Sequence, residues 1–398
     1  MDVIDIRNNF PILQEVIYMD SASTSLTPKP VLDAVLGYYS GFRANVGRGV
    51  YRTAQLADQC YRDAHSKVAA FIGGEEGTTI FTRNTTESIN IVAQGLSWRK
   101  GDRIVTTLLE HHSNLLPWMR LREKGVDLQI VKPDLEGRFD LVDFEKAISK
   151  NTRLVSISHL SNVLGTVQPI KEISKICREQ DVALLVDGAQ SVPHMPVKVN
   201  DIDCDFLCFS GHKMLGPTGA GVLWASQEDN IKPLLVGGGM VQDVHDECWN
   251  YEIKKGFEGF EAGTPDISAG IGLGAAVDFL KQIDIEEIHQ YERGLTRRLL
   301  EGLQDINGVE IYGPGIEDQN MRGGVVSFGI KNLLPHEVAL MLDQASNICV
   351  RSGHHCCIPL MKHLKLKFGT VRASVYLYNT MEEVDKLLAT LDQIARMA

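Results

Sequence analysis

The residue with the most distinctive chemistry is Lys213, which lies in a polar, glycine-rich segment. It ends the run Ser-Gly-His-Lys at 210–213, and Gly-Pro-Thr-Gly-Ala-Gly follows at 216–221. Four apolar residues, 206–209, come directly before it and predict a buried strand. A lysine at a strand end can form a Schiff base when burial lowers its pKa. An exposed lysine in a surface loop is the alternative.

Two further motifs follow predicted strands. Asp187 comes after the apolar residues 183–186, and a carboxylate buried there needs a cationic or hydrogen-bonding partner, such as a protonated ring nitrogen. An aspartate that only caps a helix is an equally good interpretation. His111 and His112 follow the predicted strand 104–107. One of these histidines could stack on a planar ring, bind a metal or simply pack.

Two hydroxyl side chains precede a predicted helix at 88–94. Thr85 and Thr86 lie in the run Thr-Arg-Asn-Thr-Thr-Glu at 82–87. Hydroxyl and backbone N–H groups at a helix N-terminus can bind an anion such as phosphate. A plain helix cap is the commoner alternative.

A possible nucleophile, Cys356, lies in the run Arg-Ser-Gly-His-His-Cys-Cys at 351–357. A cysteine among histidines could have a lowered pKa and react as a thiolate. Zinc binding is the competing interpretation, but adjacent residues rarely bind one metal together. The sequence has no Cys-x-x-Cys or His-Glu-x-x-His pattern. We therefore predict no metal site.

Short apolar runs that alternate with helical segments must position these residues. Strands are predicted at 104–107, 154–158, 183–186 and 206–209, and Ile170, Ile173 and Cys177 recur at helical spacing between two of them. Such alternation is typical of an α/β fold with a mainly parallel sheet covered by helices. Ligands bind at the carboxyl ends of the strands in such sheets.

The pattern changes after about residue 265. Helices are predicted at 266–283 and 284–304, and short strands near 309–312, 325–330, 348–351 and 368–374. A capping box, Thr380 to Glu383, begins the last helix. We predict a large domain over 15–284 and a smaller α+β domain that consists of 285–398 together with 1–14.

A glycine motif inside the first of these helices could be mistaken for a dinucleotide site. Residues 270–275 match Gly-x-Gly-x-x-Ala, but Gly-Thr-Pro-Asp precedes them in place of a strand. Close helix packing is the better interpretation of these small residues.

Composition narrows the class of protein. The 398 residues are 44% hydrophobic and 23% charged, with a net charge of −11, so nucleic acid is not expected as a main partner. No signal peptide or membrane span is predicted. The eight cysteines are sparse, which indicates a reducing, cytoplasmic location.

Together these motifs resemble those of the class V, fold-type I enzymes that use pyridoxal 5′-phosphate (PLP). They are most similar to the SufS-like cysteine desulfurases, a group that includes selenocysteine lyases. The resemblance extends from Tyr18 to Thr380, and five separated motifs keep the family's order. It implies a large domain with a mainly parallel sheet of the seven-stranded kind that this family has.

The resemblance implies that five residues hold the cofactor ring. Lys213 would bind PLP covalently, and Asp187 would keep the pyridine nitrogen protonated, which makes the ring an electron sink. Gln190 would contact the ring hydroxyl, Asn162 would lie beside it, and His111 would stack on the ring face.

Phosphate and substrate contacts are implied in the same way. The phosphate would be bound by Thr85, Thr86, Ser210 and His212, together with Thr264 of the neighbouring subunit. A homodimer is therefore part of the prediction.

The resemblance also implies the reaction. Arg372 would bind the substrate carboxylate, with Asn162 and Ala22 nearby, and Cys356 would accept sulfur. L-Cysteine would become L-alanine, and the persulfide on Cys356 would pass to an acceptor or scaffold protein for iron–sulfur cluster assembly. Selenocysteine lyase, cysteine sulfinate desulfinase and a kynureninase-like hydrolase are the alternatives.

The sequence departs from the family pattern at a few places. Cys357 stands where a small apolar residue is usual, and it could compete as a thiol or simply pack. Asn84 replaces a common glycine, and Ser-Ala-Ser-Thr at 21–24 replaces Asn-Ala-Ala-Thr. These changes could alter the substrate fit.

Overall fold

A central sheet of seven strands lies in the larger part of the protein. The computed structural model describes residues 1–397. The strand order of the sheet is β2-β8-β7-β6-β5-β3-β4, and β8 alone runs in the direction opposite to the other six strands. The strands are β1 Ile17–Tyr18, β2 Thr78–Thr82, β3 Arg103–Thr107, β4 Asp127–Val131, β5 Thr152–Ser158, β6 Ala183–Asp187, β7 Phe206–Ser210, β8 Gly221–Ala225, β9 Val241–His245, β10 Asn250–Ile253, β11 Val309–Tyr312, β12 Val325–Ile330, β13 Ile348–Cys349, β14 Arg351–Gly353 and β15 Thr370–Ser374. The α/β fold is thereby confirmed.

Helices cover both faces of this sheet. The α-helices are α1 Val3–Arg7, α2 Lys29–Gly41, α3 Arg52–Phe71, α4 Thr85–Gly95, α5 Leu116–Leu121, α6 Leu141–Ala147, α7 Ile170–Glu179, α8 Val199–Ile202, α9 Ile267–Ile283, α10 Ile285–Asp305, α11 Pro335–Ser346, α12 Ile358–His363 and α13 Met381–Met397. Short 3₁₀ turns lie at Pro11–Gln14, His112–Asn114, Arg122–Lys124, Gly211–Lys213, Glu228–Asn230, Phe257–Gly259 and Ile316–Met321. No helix within residues 1–397 is both long and apolar enough to cross a bilayer.

The central strands β6, β7 and β8 are buried on both faces because they are apolar at nearly every position. In β6, Leu184 and Val186 face the core that includes α7 and α9, whereas Leu185 faces the core that includes α4 and α5. Alternate residues of a strand point to opposite sides. An uninterrupted apolar run such as β6 therefore requires helices on both sides, which is the arrangement observed.

Helix α9 explains the glycine pattern at 270–275. A Cβ atom on Gly270 would lie 2.5 Å from the Tyr61 ring, and one on Gly274 would lie 3.0 Å from the Cβ of Ala64. Both contacts are with α3. The glycines thus let two helices pack closely, as predicted.

The C-terminal part of the chain forms an antiparallel sheet in the order β11-β12-β15-β14. Its apolar face packs with α10, α11 and α13 in a separate buried cluster. The strand predicted at 348–351 is divided. β13 pairs with β1, and β14 pairs with β15, because the chain changes sheets between them. The two domain ranges, 15–284 and 285–398 with 1–14, stay a prediction.

Candidate active site

A cavity of about 220 Å³ opens at the carboxyl ends of β5, β6 and β7, where ligands are expected in a sheet of this type. Twelve residues predicted for the site line it, namely Lys213, Cys356, His111, Asp187, Gln190, Asn162, Thr85, Thr86, Ser210, His212, Arg372 and Ala22. The structure therefore brings together side chains that are up to several hundred positions apart in sequence.

Lys213 lies in the 3₁₀ turn that directly follows β7. Its ammonium group has no ion-pair or hydrogen-bond partner among the described residues. Burial lowers the pKa of Lys213 to about 8, while the nearby Asp187 opposes this shift. About a tenth of the Lys213 side chains are therefore neutral, nucleophilic amines at pH 7, far more than for a free lysine.

Asp187 and Gln190 form the floor of the cavity. The Asp187 carboxylate accepts a hydrogen bond from the N–H of Ala189 at 3.0 Å, and burial raises the pKa of Asp187. Gln190 donates to the carbonyl of Ala22 at 2.7 Å, and its Oε1 is buried with no donor in the described part of the chain. Both groups can therefore receive a hydrogen bond from a ligand.

The predicted phosphate cradle lies at the start of α4. This helix begins at Thr85, three residues earlier than predicted, because Asn84 caps it by accepting from the Glu87 N–H at 3.1 Å. The Thr85 N–H donates to the Ser210 hydroxyl at 2.9 Å. The Thr86 and Ser113 hydroxyls are 2.7 Å apart. Hydroxyl groups and a helix N-terminus here converge on one side of the cavity.

His111 remains neutral at physiological pH. Burial first, and then the positive charge of Lys213, lowers the pKa of His111 to about 3. Its Nδ1 accepts from the Ser113 N–H at 3.1 Å, which orients the ring at the cavity wall. A neutral imidazole held in this way can stack on an aromatic ligand without opposing the charge of Lys213.

Glu110 fixes the loop that carries His111, a role that sequence reasoning missed. Its carboxyl group is buried and accepts hydrogen bonds from the hydroxyls of Thr107 and Ser158, both at 2.6 Å. Asn114 donates to the same carboxyl group. Burial raises the pKa of Glu110 to about 7. This residue ties the ends of β3 and β5 together below the cavity.

Cys356 lies on an exposed loop at the cavity mouth. His355 and Cys356 both have left-handed backbone angles, with φ of +50° and +58°, which cost non-glycine residues about 1 kcal/mol or more each. Contacts with His112 hold the loop. The His112 N–H donates to the Cys356 carbonyl at 2.8 Å, and its Nε2 accepts from the Ile358 N–H at 3.2 Å.

Cys357 packs in the interior, so the two alternatives for this residue are resolved. Its side chain is fully buried, and its thiol donates to the Asn162 side-chain oxygen at 3.2 Å. Burial raises the pKa of the Cys357 thiol far above its ordinary range. Cys357 therefore does not present a thiolate to the cavity.

A pair of arginines gives one side of the cavity its positive charge. Arg372 is buried and donates to the Asp20 carboxylate at 3.0 Å and to the Asn162 carbonyl at 2.9 Å. Arg351 is exposed and lies 4.0 Å from the same aspartate. One carboxylate thus faces two guanidinium groups, and the excess charge favours an anionic ligand. Arg351 had no predicted role.

Thr264 does not line this cavity. It borders a second cavity of about 330 Å³, where the Asn45 side chain donates to its hydroxyl at 3.3 Å. The described residues contain no group of three or more His, Cys, Asp or Glu side chains arranged to bind a metal.

Comparison with known proteins gives one consistent family. The aminotransferase class-V family matches residues 17–387. A probable cysteine desulfurase of Pyrococcus abyssi is 48% identical, covering 98% of this chain and 97% of that protein. One from Methanothermobacter thermautotrophicus is 46% identical, covering 99% and 98%.

Solved structures agree with this result. The apo cysteine desulfurase of Thermococcus onnurineus aligns with a TM-score of 0.95 at 44% identity, over 99% of this chain and 98% of that one. The cysteine desulfurase CsdA of Escherichia coli aligns with a TM-score of 0.91 at 30% identity, over 100% and 99%.

Proposed function

We propose that this chain, which belongs to the aminotransferase class-V family and is a cysteine desulfurase, holds PLP on Lys213 and transfers the sulfur of L-cysteine to Cys356. The observation that carries these assignments is the shared cavity. A buried amine of lowered pKa, a buried carboxylate and an exposed thiol all line it. This combination suits carbon–sulfur cleavage followed by sulfur capture.

The residues present fit PLP. The buried, unpartnered Oε1 of Gln190 can accept from the ring hydroxyl, and Asp187 can accept from the protonated ring nitrogen. The cradle formed by Thr85, Thr86 and Ser210, together with His212, offers donors to the phosphate. When bound, PLP withdraws electrons from the substrate and makes its Cα proton removable.

The side chains of this chain supply the remaining steps. Arg372 and Arg351 orient the substrate carboxylate, and the Lys213 amine takes up the Cα proton. The Cys356 thiolate attacks the substrate sulfur as the carbon–sulfur bond breaks, and a new sulfur–sulfur bond forms on Cys356. Protonation of the carbon skeleton yields alanine.

We also propose a homodimer, a protein acceptor and a cytoplasmic location. Thr264 lies away from the cavity of its own chain, which supports a contact with the neighbouring subunit's phosphate. The persulfide on Cys356 would leave to an acceptor that serves iron–sulfur cluster assembly. All eight cysteines are free, as suits a reducing compartment.

A turnover assay tests the proposed function. The PLP-loaded protein is expected to form equal amounts of alanine and sulfide from L-cysteine when dithiothreitol removes the persulfide sulfur. Alanine is measured by chromatography and sulfide by a colour reaction. Fully bound PLP without any alanine would show instead a protein that has kept the fold and lost catalysis.

The pKa of Lys213 predicts how the apoprotein loads its cofactor. Only the neutral amine attacks an aldehyde, so the rate of covalent PLP attachment should rise with pH and level off above about 8. Absorbance after rapid mixing at pH 6.5 to 9.5 would measure this rate. Free lysine, with a pKa of about 10.4, is the control. A profile that parallels free lysine would contradict the assignment.

A further inference from the structure

A basic segment lies beside Cys356 in an otherwise acidic protein. From residue 344 to residue 381 the sequence has no Asp or Glu, although the chain contains 51 acidic residues and has a net charge of −11. Lys362, Lys365 and Lys367 are exposed in this segment. None of the three forms an ion pair with another residue in 1–397. We call these three lysines the basic rim.

The basic rim is attached directly to the loop that carries Cys356. Helix α12 begins at Ile358, and its Leu360 packs with the buried Cys357 in one cluster. On the other side of the loop, the His354 ring bonds to the carbonyl of Lys367 at 3.0 Å. The backbone of the rim is therefore tied to the loop that carries Cys356.

Two exposed apolar side chains accompany this charge. Ile358 is 42% exposed and Phe368 is 53% exposed. Exposed apolar groups that accompany like charges are typical of a protein-binding surface, where the apolar groups supply contact area and the charges steer the approach.

We propose that the basic rim is the docking surface for an acidic sulfur-acceptor protein. This inference rests on the proposed persulfide at Cys356. A thiolate of the acceptor attacks the outer sulfur of that persulfide, the sulfur–sulfur bond to Cys356 breaks, and Cys356 leaves as a thiolate. The acceptor carries the outer sulfur away as its own persulfide, so no other oxidant or reductant is needed.

The charge of the rim selects the acceptor. Unpaired lysines attract an acidic surface over roughly a Debye length, about 10 Å at moderate salt, and repel a basic one. Nucleic acid would also be attracted, but it offers no thiol to take the sulfur. An acidic protein with an exposed cysteine satisfies both requirements.

Two synthetic peptides test the inference on the PLP-loaded enzyme. Each peptide carries one cysteine, flanked by glutamates in one and by lysines in the other. The enzyme is charged with L-cysteine, desalted and mixed with a peptide, and mass spectrometry follows persulfide formation on the peptide. At low salt the acidic peptide should react about ten-fold faster or more, and salt should reduce the difference. Equal rates would overturn the proposal.

Variants locate the effect. Replacing the three rim lysines together should remove most of the preference, both as Lys→Gln and as Lys→Glu variants of Lys362, Lys365 and Lys367. Arg351 and Arg372 stay in place, so a preference that survives would belong to the cavity and would contradict the rim. If the Lys→Glu variant does not fold, the Lys→Gln variant decides.

A matched control removes three positive charges at the opposite end of the central sheet, where the parallel strands begin. Three exposed lysines without ion pairs lie before β3, before β5 and after the antiparallel β8, namely Lys100, Lys150 and Lys232. Their Lys→Gln variant should keep the peptide preference, and a loss there would refute a local effect.

Two further measurements distinguish a failure of the docking proposal from a failure of the proposed function. Alanine formation with dithiothreitol should stay within about two-fold in the rim variants, since surface changes are usually mild. Absence of alanine formation in the wild type would contradict the proposed function rather than the docking proposal. An oligodeoxynucleotide that blocks transfer better than a cysteine-free acidic peptide would assign the surface to nucleic acid and refute the proposal.

Discussion

The Lys213→Ala variant is expected to lose alanine formation from L-cysteine by at least about 10³-fold, because loss of a general base alone costs about 10²–10⁴-fold. The same change removes the amine that attaches the cofactor. Lys213 is the group with the lowered pKa in the cavity, and no other lysine lines it within residues 1–397. No neighbouring amine can therefore replace it.

Two measurements separate loss of chemistry from loss of binding. Borohydride reduction should fix PLP covalently to the wild type and leave the variant unlabelled. The variant should still bind PLP reversibly, since Thr85, Ser210 and Asp187 are unchanged. The exposed Lys175 on α7 provides a control, and Lys175→Ala should retain labelling and turnover. Labelling of Lys213→Ala at another lysine would contradict the assignment.

The sequence predicts four of the seven strands of the central sheet, because these four contain short, mainly apolar runs. β3, β5, β6 and β7 all lie where such runs occur. Their carboxyl ends then bring Asp187 and Lys213 to one edge of the sheet. The motifs and the fold therefore agree on the place of the cavity without any knowledge of contacts.

Long-range contacts around the site could not be predicted in this way. Ser158 donates to Glu110 from 48 positions away, and Asp20 accepts from Arg372 across 352 positions. Nothing in the local sequence indicates these partners, because an isolated Glu or Asp more often lies at the surface. A buried carboxylate is recognised only when the donors around it are known.

The contacts of the Cys356 loop could not be predicted from the sequence either. Its histidines left zinc binding as a competing interpretation, whereas the structure shows that His112, from another loop, holds the backbone of Cys356 and Ile358. The sequence indicates Cys356 as the candidate nucleophile, and the fold shows which contacts hold the loop that carries it.

Replacing Cys356 should have the second large effect. The Cys356→Ala variant is expected to lose alanine formation from L-cysteine by at least about 10³-fold, because removal of an enzyme nucleophile commonly costs that much or more. Covalent PLP binding should be unchanged, since Cys356 lies at the mouth of the cavity. After reaction with L-cysteine and alkylation, mass spectrometry should find the persulfide on the wild-type Cys356 peptide alone.

Variants of two other cysteines show whether the effect is specific to Cys356. Cys248 is exposed like Cys356 but lies on the turn between β9 and β10, so Cys248→Ala should keep full activity. Cys357→Ala should keep most of it, since that thiol is buried and donates to Asn162. Persulfide found on Cys357, or activity lost only in Cys357→Ala, would transfer the role to the buried residue.

The structure favours Cys356 because the two adjacent thiols face different surroundings. A sulfur acceptor must reach the substrate from one side and release its sulfur to a partner on the other, and Cys356 alone is both exposed and part of the cavity lining among the described cysteines. Selenium leaves carbon more readily than sulfur does. Selenocysteine cleavage that survives in Cys356→Ala, while cysteine cleavage stops, would therefore show that this thiol is needed for sulfur removal itself and not for the integrity of the site.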